Sequence, residues 1–207
     1  MITQLANLAP AGNAITLTVP AQSITQLVVG EVPPPVLTAT ATGASQVSLT
    51  WTPVAGAVNY EILRSVNNSA FAPLITVGTT SHNDLGLTAN TTYLYKVHAV
   101  GGGYSAVDAA TTTVFTDPTL TTGTIIKAAH FNEMRTAVNA MRTSAGLTPQ
   151  VFTDTLNSSM VIKAIHMTEL RSALDEARSA IGLAALVYTN STVVKAAHVN
   201  ELRNGVK

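Results

Sequence analysis

Read from the N-terminus, the chain first alternates apolar and polar residues and later changes to a helical period. In residues 14–19, Ile15, Leu17 and Val19 alternate with polar neighbours; Pro20-Ala21-Gln22 breaks the run, and residues 23–29 resume it. Alternation at period two with β-branched residues marks a half-buried strand, so this segment predicts a β-hairpin. A lone hairpin is marginal in water, so residues 13–30 are expected to pair with another sheet or with another copy of the chain. The run Pro33-Pro34-Pro35 then reads as a stiff link. Beyond it, Val47, Leu49 and Trp51 share one strand face. Val58, Tyr60 and Ile62 share a second, and Tyr93, Tyr95, Val97 and Ala99 a third. Turn-rich stretches at 53–56, 67–69 and 101–103 separate these runs, and short strands at such spacing predict a sandwich.

From about residue 115 the period changes. Ile126-Lys-Ala-Ala-His-Phe-Asn-Glu-Met-Arg135 recurs as Ile162-Lys-Ala-Ile-His-Met-Thr-Glu-Leu-Arg171 and as Val194-Lys-Ala-Ala-His-Val-Asn-Glu-Leu-Arg203, at offsets of 36 and 32 residues. Each copy follows an aromatic residue, Phe115, Phe152 or Tyr188, with Thr-Asp or Thr-Asn after it. Phe131, Met134, Val138, Met141 and Ala145 form one apolar stripe; Met167, Leu170, Leu174, Ala177 and Ile181 form the next. Thr124 and Thr192 read as N-caps, and Gly146 and Gly182 as C-terminal stops. The third helix is shorter, as an abbreviated terminal repeat would be. Three amphipathic helices are expected to bury their stripes together, each joined by a loop that an aromatic residue anchors.

Composition narrows the function. Only 11% of the 207 residues are charged, the formal net charge is zero, and 31 residues are threonine. A neutral chain has no basic field for nucleic acid. The absence of cysteine removes disulfides, thiolate nucleophiles and cysteine metal sites. No apolar run reaches the length of a membrane span, and the start lacks the basic and apolar regions of a signal peptide, so neither is expected. The charge is uneven. Residues 1–118 hold Arg64 and Lys96 against five acidic residues, whereas residues 119–207 hold nine basic and six acidic ones. This shift points to two different units in one chain.

The repeats also carry the candidate chemistry. His130 and Glu133, His166 and Glu169, and His198 and Glu201 lie three apart on one helix face, a spacing that could hold a metal such as zinc. One metal site has no need of three copies, so a repeated packing device is the favoured reading and no metal or cofactor is assigned. Lys127, Lys163 and Lys195, with Arg135, Arg171 and Arg203, could bind anions. Each copy carries its own glutamate nearby, so ion pairs within the chain are the simpler account, and Glu and Arg can also bind the neighbouring repeat. Glu61, Asp84 and Asp108 show no pairing of the kind a glycosidase needs. No nucleophile elbow, P-loop or dinucleotide fingerprint is present. His82 and His98 read as isolated. Phe71 and Tyr104 are the aromatics left over for sugar stacking, a role that edge packing explains better.

Three resemblances to known families are carried by these residues. Trp51, Tyr60, the run Leu87-Thr-Ala-Asn-Thr-Thr-Tyr93 and Tyr95-Lys-Val-His-Ala99 resemble a fibronectin type III domain over residues 33–116. The resemblance implies a buried Trp51 on the second strand and a tyrosine corner closed by Tyr93. Integrin-type recognition is not implied, because no Arg-Gly-Asp triplet occurs. The Ile-Lys-Ala-x-His-x-x-Glu-Leu-Arg pattern resembles a repeat at the C-termini of large secreted bacterial proteins. Residues 13–30 resemble the last hairpin of the β-sandwich that ends many bacterial glycosidases.

The expected architecture is a multidomain β-then-α chain. It comprises a β-hairpin segment (1–31), an immunoglobulin-like fibronectin type III sandwich (32–116) and a small all-α repeat domain (117–207). The expected function is a non-enzymatic extracellular or cell-surface structural or attachment module, self-assembling through its hairpin. Its partners would be protein, cell surface or polysaccharide, with no nucleic acid and no membrane span. The alternative is the C-terminal accessory region of a secreted polysaccharide-degrading enzyme whose catalytic domain is missing. Trp51, Tyr60, Tyr93, the three repeat aromatics and the repeated Lys and Arg residues are the expected structural positions.

Overall fold

Alternating burial builds the first half of the chain. Among the described residues, seven strands form two antiparallel sheets: β1 (Leu37–Gly43), β2 (Gln46–Trp51) and β5 (Ser81–Leu85) in one, and β4 (Ala72–Val77), β3 (Tyr60–Val66), β6 (Thr92–Ala99) and β7 (Asp108–Thr111) in the other. These come from a computed structural model that describes residues 33–189 and 193–207; the expected hairpin at 13–30 and the expected cap Thr192 lie outside them. The strand orders β1-β2-β5 and β4-β3-β6-β7 are those of a fibronectin type III-like sandwich. Val47, Leu49, Trp51, Tyr60, Ile62, Tyr95 and Val97 fill the space between the sheets. Each fully buried aliphatic side chain there contributes about 1.5–3 kcal/mol. Trp51 packs edge-on to Tyr60 with ring centroids 5.6 Å apart, and the Tyr60 hydroxyl accepts a hydrogen bond from the Val54 amide at 2.8 Å. The Tyr93 hydroxyl accepts from the Thr88 amide at 3.0 Å, which closes the tyrosine corner.

Val58 is a correction. It alternates in sequence with Tyr60 and Ile62, yet it lies before β3 and is 78% exposed. His98 is another: it is not isolated, since its Nε2 lies 2.8 Å from Glu61 and its ring lies tilted beside that of Tyr104, with centroids 4.2 Å apart.

The second half holds α1 (Ala128–Ser144), α2 (Ala164–Ala180) and α3 (Ala196–Gly205). Phe131, Met134, Val138 and Met141 of α1 are fully buried, as are Leu170, Leu174 and Ala177 of α2 and Val199 and Leu202 of α3. Each helix touches both others. α1 and α2 end alike. Gly146 and Gly182 adopt positive φ, and the amides of Leu147 and Leu183 reach back to the carbonyls of Arg142 and Arg178 at 2.8 and 2.9 Å. That is the left-handed helix stop that favours glycine. Gly146 is doubly constrained, because a β-carbon there would lie 2.6 Å from the Asn68 side chain of the sandwich.

The helix starts overturn the expected cap. Lys127, not Thr124, is the N-cap of α1, and Lys163 and Lys195 take that place in α2 and α3. The capping acceptor comes from inside the helix: Nδ1 of His130, His166 and His198 accepts the Lys127, Lys163 and Lys195 amides at 3.2, 3.1 and 3.1 Å. A histidine three residues in thus does the work that Glu or Gln does in a capping box. Thr124 instead closes a small turn, accepting from the Thr121 amide at 3.1 Å.

The two halves share a face. β6 is buried on both sides over its first residues, with Tyr93 and Tyr95 toward the sandwich core and Leu94 toward the helices. Phe71, Val107 and Ala109 join Leu94 against the helical core. Ser144 Oγ donates to the Thr92 carbonyl at 2.6 Å, and the Thr111 amide donates to the Val206 carbonyl at 3.1 Å.

Candidate functional site

The repeated His, Glu, Lys, Arg and aromatic residues come together, in an order that the linear motif conceals. In the first two copies, the segment leading into the helix, here called the strap, is tied to its own helix. Asp117 Oδ2 receives Lys127 Nζ at 3.0 Å and His130 Nε2 at 2.8 Å; Asp154 receives Lys163 and His166, each at 2.9 Å. Nδ1 of each histidine already accepts the cap amide, so Nε2 carries the proton and donates to the aspartate. Both ring nitrogens of His130 and His166 are thereby used. The histidine hydrogen bond, then the lysine, hold Asp117 and Asp154 below the usual carboxylate range. Glu133 accepts from the Thr116 amide and hydroxyl, Glu169 from those of Thr153, and Glu201 from the Thr189 amide at 3.1 Å.

The arginines do something different. Arg135 lies over the ring of Phe152 at 4.5 Å, Arg171 over Tyr188 at 4.5 Å, and Arg203 over Phe115 at 4.4 Å. Each arginine therefore caps the aromatic residue of the next repeat, and the third returns to the first. The same guanidinium groups donate to strap carbonyls: Arg135 to Asp154 at 2.7 Å, Arg171 to Thr189 at 3.0 Å, and Arg203 to Asp117 at 2.6 Å. Each also faces the next repeat's glutamate: Glu169 at 3.8 Å, Glu201 at 3.0 Å and Glu133 at 3.8 Å. These arginine–glutamate pairs run between repeats and not inside one copy. Glu133 and Arg135 are two residues apart on a helix and so point to different faces. The three repeats thus close into a ring with pseudo-threefold order. Burial pulls the Arg135 and Arg203 guanidiniums below their ordinary value, opposed by Glu169 and Glu133.

Two residues outside the motif reinforce the ring. Arg142 donates to the Ala173 carbonyl at 3.2 Å, and Arg178 to the Gly205 carbonyl at 2.7 Å, equivalent contacts one repeat apart. Tyr188 additionally donates to Asp175 at 2.6 Å, and burial first, then this bond, pushes its hydroxyl above the usual tyrosine range.

The carboxylates of the sandwich are likewise engaged. Asp84 is buried between the sheets, where Arg64 Nη1 and the Tyr95 hydroxyl both reach it at 2.9 Å. Burial first, and then Asp84, raise the Tyr95 hydroxyl. Asp108 accepts the Ala39 amide at 2.8 Å and so ties β7 to β1. Phe71 packs against the helical core with Lys96 over its ring at 4.9 Å, while Tyr104 is half exposed beside His98. Among the described residues no group of three His, Asp or Glu side chains converges as a metal would need, and no helix is long and apolar enough to cross a membrane.

No protein-family model matches the chain, and no curated protein matches its sequence. Solved structures do resemble its sandwich. An Fn3-like protein from Clostridium thermocellum is 26% identical, with a TM-score of 0.33, over 39% of this chain and 91% of that one. The sixth fibronectin type III domain of human fibronectin type III domain containing protein 3 is 21% identical, with a TM-score of 0.35, over 43% and 90%. The FN5 domain of Drosophila Lar is 21% identical, with a TM-score of 0.33, over 38% and 92%.

Proposed function

We propose that the chain is a non-enzymatic structural or attachment module of the extracellular space or cell surface. The sandwich would act as a rigid spacer and the helical ring as its contact element. One observation carries this reading: the charged side chains of the repeat motif whose contacts are described are spent on internal ties. Asp117, Lys127, His130 and Glu133 hold the first strap to its helix, and Arg203 then closes over them. A set of groups so engaged builds a scaffold and leaves no acid, base or nucleophile poised for chemistry.

In this proposal the units are 1–31, 32–116 and 117–207, and residues 13–30 supply strands to a sheet outside this sandwich. What supports that assignment is the guarding of three of the sandwich's four sheet edges, at β1, β7 and β4. Asp108 ties β1 to β7, α3 bonds the end of β7, and β4 carries Pro73 and an irregular register beside Leu63. The test is pelleting of the full chain with insoluble polysaccharides and with cell envelopes, followed by assay for released sugar. Retention without turnover is the expected result. Sugar release that falls when Glu61 or Asp84 is replaced by its amide would overturn the reading. Light scattering of the full chain and of a chain lacking residues 1–31 tests the assembly claim, which fails if both are monomers.

A further inference from the structure

Of the four sheet edges, β5 is the one left open. It pairs only with β2, on the side away from β1, and the helices pack against the other sheet. The Trp51 amide donates to the Thr80 carbonyl at 3.0 Å, so Leu49–His82 and Val47–Asp84 are the hydrogen-bonded pairs of this antiparallel ladder. The main-chain groups of Ser81, Asn83 and Leu85 therefore face away from β2. The Thr79 hydroxyl takes up the Ser81 carbonyl at 2.8 Å, whereas nothing among the described residues bonds the outward groups of Asn83 and Leu85. Both side chains are exposed, that of Leu85 included despite its apolar character. β5 has no proline, and its one acid, Asp84, turns inward, where Arg64 and Tyr95 meet its charge. A strand with free main-chain groups and no outward charge is a template for another strand.

We infer that β5 is the acceptor for residues 23–29 of a second copy of this chain, added to the sheet as a further strand. The inference rests on the reading of residues 13–30 as donors to another sheet, and it names that sheet. Residues 1–30, which lie outside the described residues, carry no charged side chain, and Ser23-Ile-Thr-Gln-Leu-Val-Val29 is rich in residues that strands favour. Strand addition draws its affinity from main-chain bonds, and a neutral donor on a neutral outer edge sets no charge against another. Chain length decides whose β5 is used. Val29 is four residues from Pro33, a span of at most about 14 Å. The position beyond β5 is three strand spacings from β1, also about 14 Å. Pro34 leads the chain the other way: a β-carbon on Gly103, in the β6–β7 connection, would lie 3.8 Å from Pro34 Cβ. β7 faces β1, at the edge far from β5, and Asp108 bonds β1 from there. A run of prolines is stiff and holds its direction. Residues 23–29 thus fall short of their own β5 and are carried outward, toward that of another molecule. Such a contact is heterologous and continues from chain to chain.

The test uses the full chain, unmodified and as Asn83→Pro. The Asn83 amide faces outward, so proline there removes no bond to β2 and closes the edge. Light scattering over a range of concentrations should show the unmodified chain assembling and Asn83→Pro at least several-fold less assembled. In the unmodified chain, the Asn83 and Leu85 amides should exchange hydrogen at least several-fold more slowly when concentrated than when dilute. That measurement decides alone if Asn83→Pro fails to fold. Assembly that a folded Asn83→Pro leaves intact, or exchange at both amides that ignores concentration while the chain assembles, would overturn the inference and leave the donor role of residues 13–30 standing. Slow exchange at both amides in a monomer at every dilution would put the strand on its own β5, and overturn it too. A chain monomeric at every concentration, with both amides exchanging fast, would overturn the inference together with the assembly reading.

Discussion

Closure of the ring predicts an energetic coupling between two residues at opposite ends of the helical half. Arg203 is 8% exposed and lies 4.4 Å above the Phe115 ring, and its Nη1 bonds the Asp117 carbonyl at 2.6 Å. A desolvated cation–aromatic contact is worth about 2 kcal/mol. A hydrogen bond from a charged donor adds about 1.5–3 kcal/mol. Arg203→Ala should therefore cost about 3–5 kcal/mol, the more so because Glu133 Oε2 is buried with no hydrogen-bond partner and would lose its nearest cation. Phe115→Ala removes the same cation–aromatic contact together with the packing of a half-buried ring. The double variant should consequently be about 1–2 kcal/mol less destabilised than the sum of the singles.

The assay is urea unfolding of the four members of this cycle. Far-UV circular dichroism follows the helices, and Trp51 fluorescence follows the sandwich. The control is Arg203→Ala combined with Phe152→Ala, whose aromatic ring belongs to Arg135. That pair should be additive within about 0.5 kcal/mol. An open row of repeats would leave Arg203 without an aromatic partner. Coupling below about 0.5 kcal/mol between Arg203 and Phe115 would therefore refute the closed ring.

His166→Ala removes both the cap of α2 and the bond to Asp154, and should cost about 2–4 kcal/mol in urea unfolding; His166→Gln, which can still accept the Lys163 amide, should recover at least about 1 kcal/mol of that. The carboxyls of Asp117 and Asp154 titrate lower when folded than when unfolded, so the stability they add is complete above the ordinary aspartate range and is lost as pH falls through their folded values. Melting temperature should drop below about pH 4, and Asp117→Asn or Asp154→Asn should flatten that drop, as scanning calorimetry across pH would show. Tyr93→Phe deletes the Thr88 bond alone and should cost about 1 kcal/mol, read from the urea midpoint.

The sequence announces its periodic elements and conceals the rest. β2, β3 and β6 carry large apolar residues at period two, and α1 and α2 carry them at helical spacing, so their faces are legible from residue order alone. β5 is Ser-His-Asn-Asp-Leu, with the inward position taken by Asp84. Nothing local identifies it, because Arg64 and Tyr95, which make that burial tolerable, come from other strands. β1 is hidden for a different reason: its alternation is written in alanine and threonine, which bury too little to stand out. The helix starts escape sequence rules because the cap acceptor is a histidine inside the first turn, whereas those rules look for Ser, Thr, Asp or Asn before it. A signal is present, since Lys-x-x-His recurs at all three starts. Closure has no local signal at all. The aromatic residue and its arginine belong to different repeats, and only the return of the third arginine to Phe115 reveals the ring.

That return also explains why a chain so poor in charge concentrates it here. A buried guanidinium is costly unless its donors are met, and one such site would be a marginal arrangement. Repetition changes the balance. The straps provide a backbone carbonyl, an aromatic face and a facing glutamate for each arginine, although Nε of all three and Nη2 of Arg135 and Arg203 make no hydrogen bond among the described residues, so one duplicated unit supplies both the buried cation and the pocket for its neighbour's. Each repeat must then turn by about a third of a circle for the last donor to find the first acceptor. A fourth copy inserted into such a ring could not be accommodated without parting Arg203 from Phe115 and the Asp117 carbonyl. The same donors and acceptors that close three copies into one body would in that case face outward on separate repeats. Closure is thus a property of the copy number as much as of the motif, and the motif alone does not distinguish a closed body from an open filament.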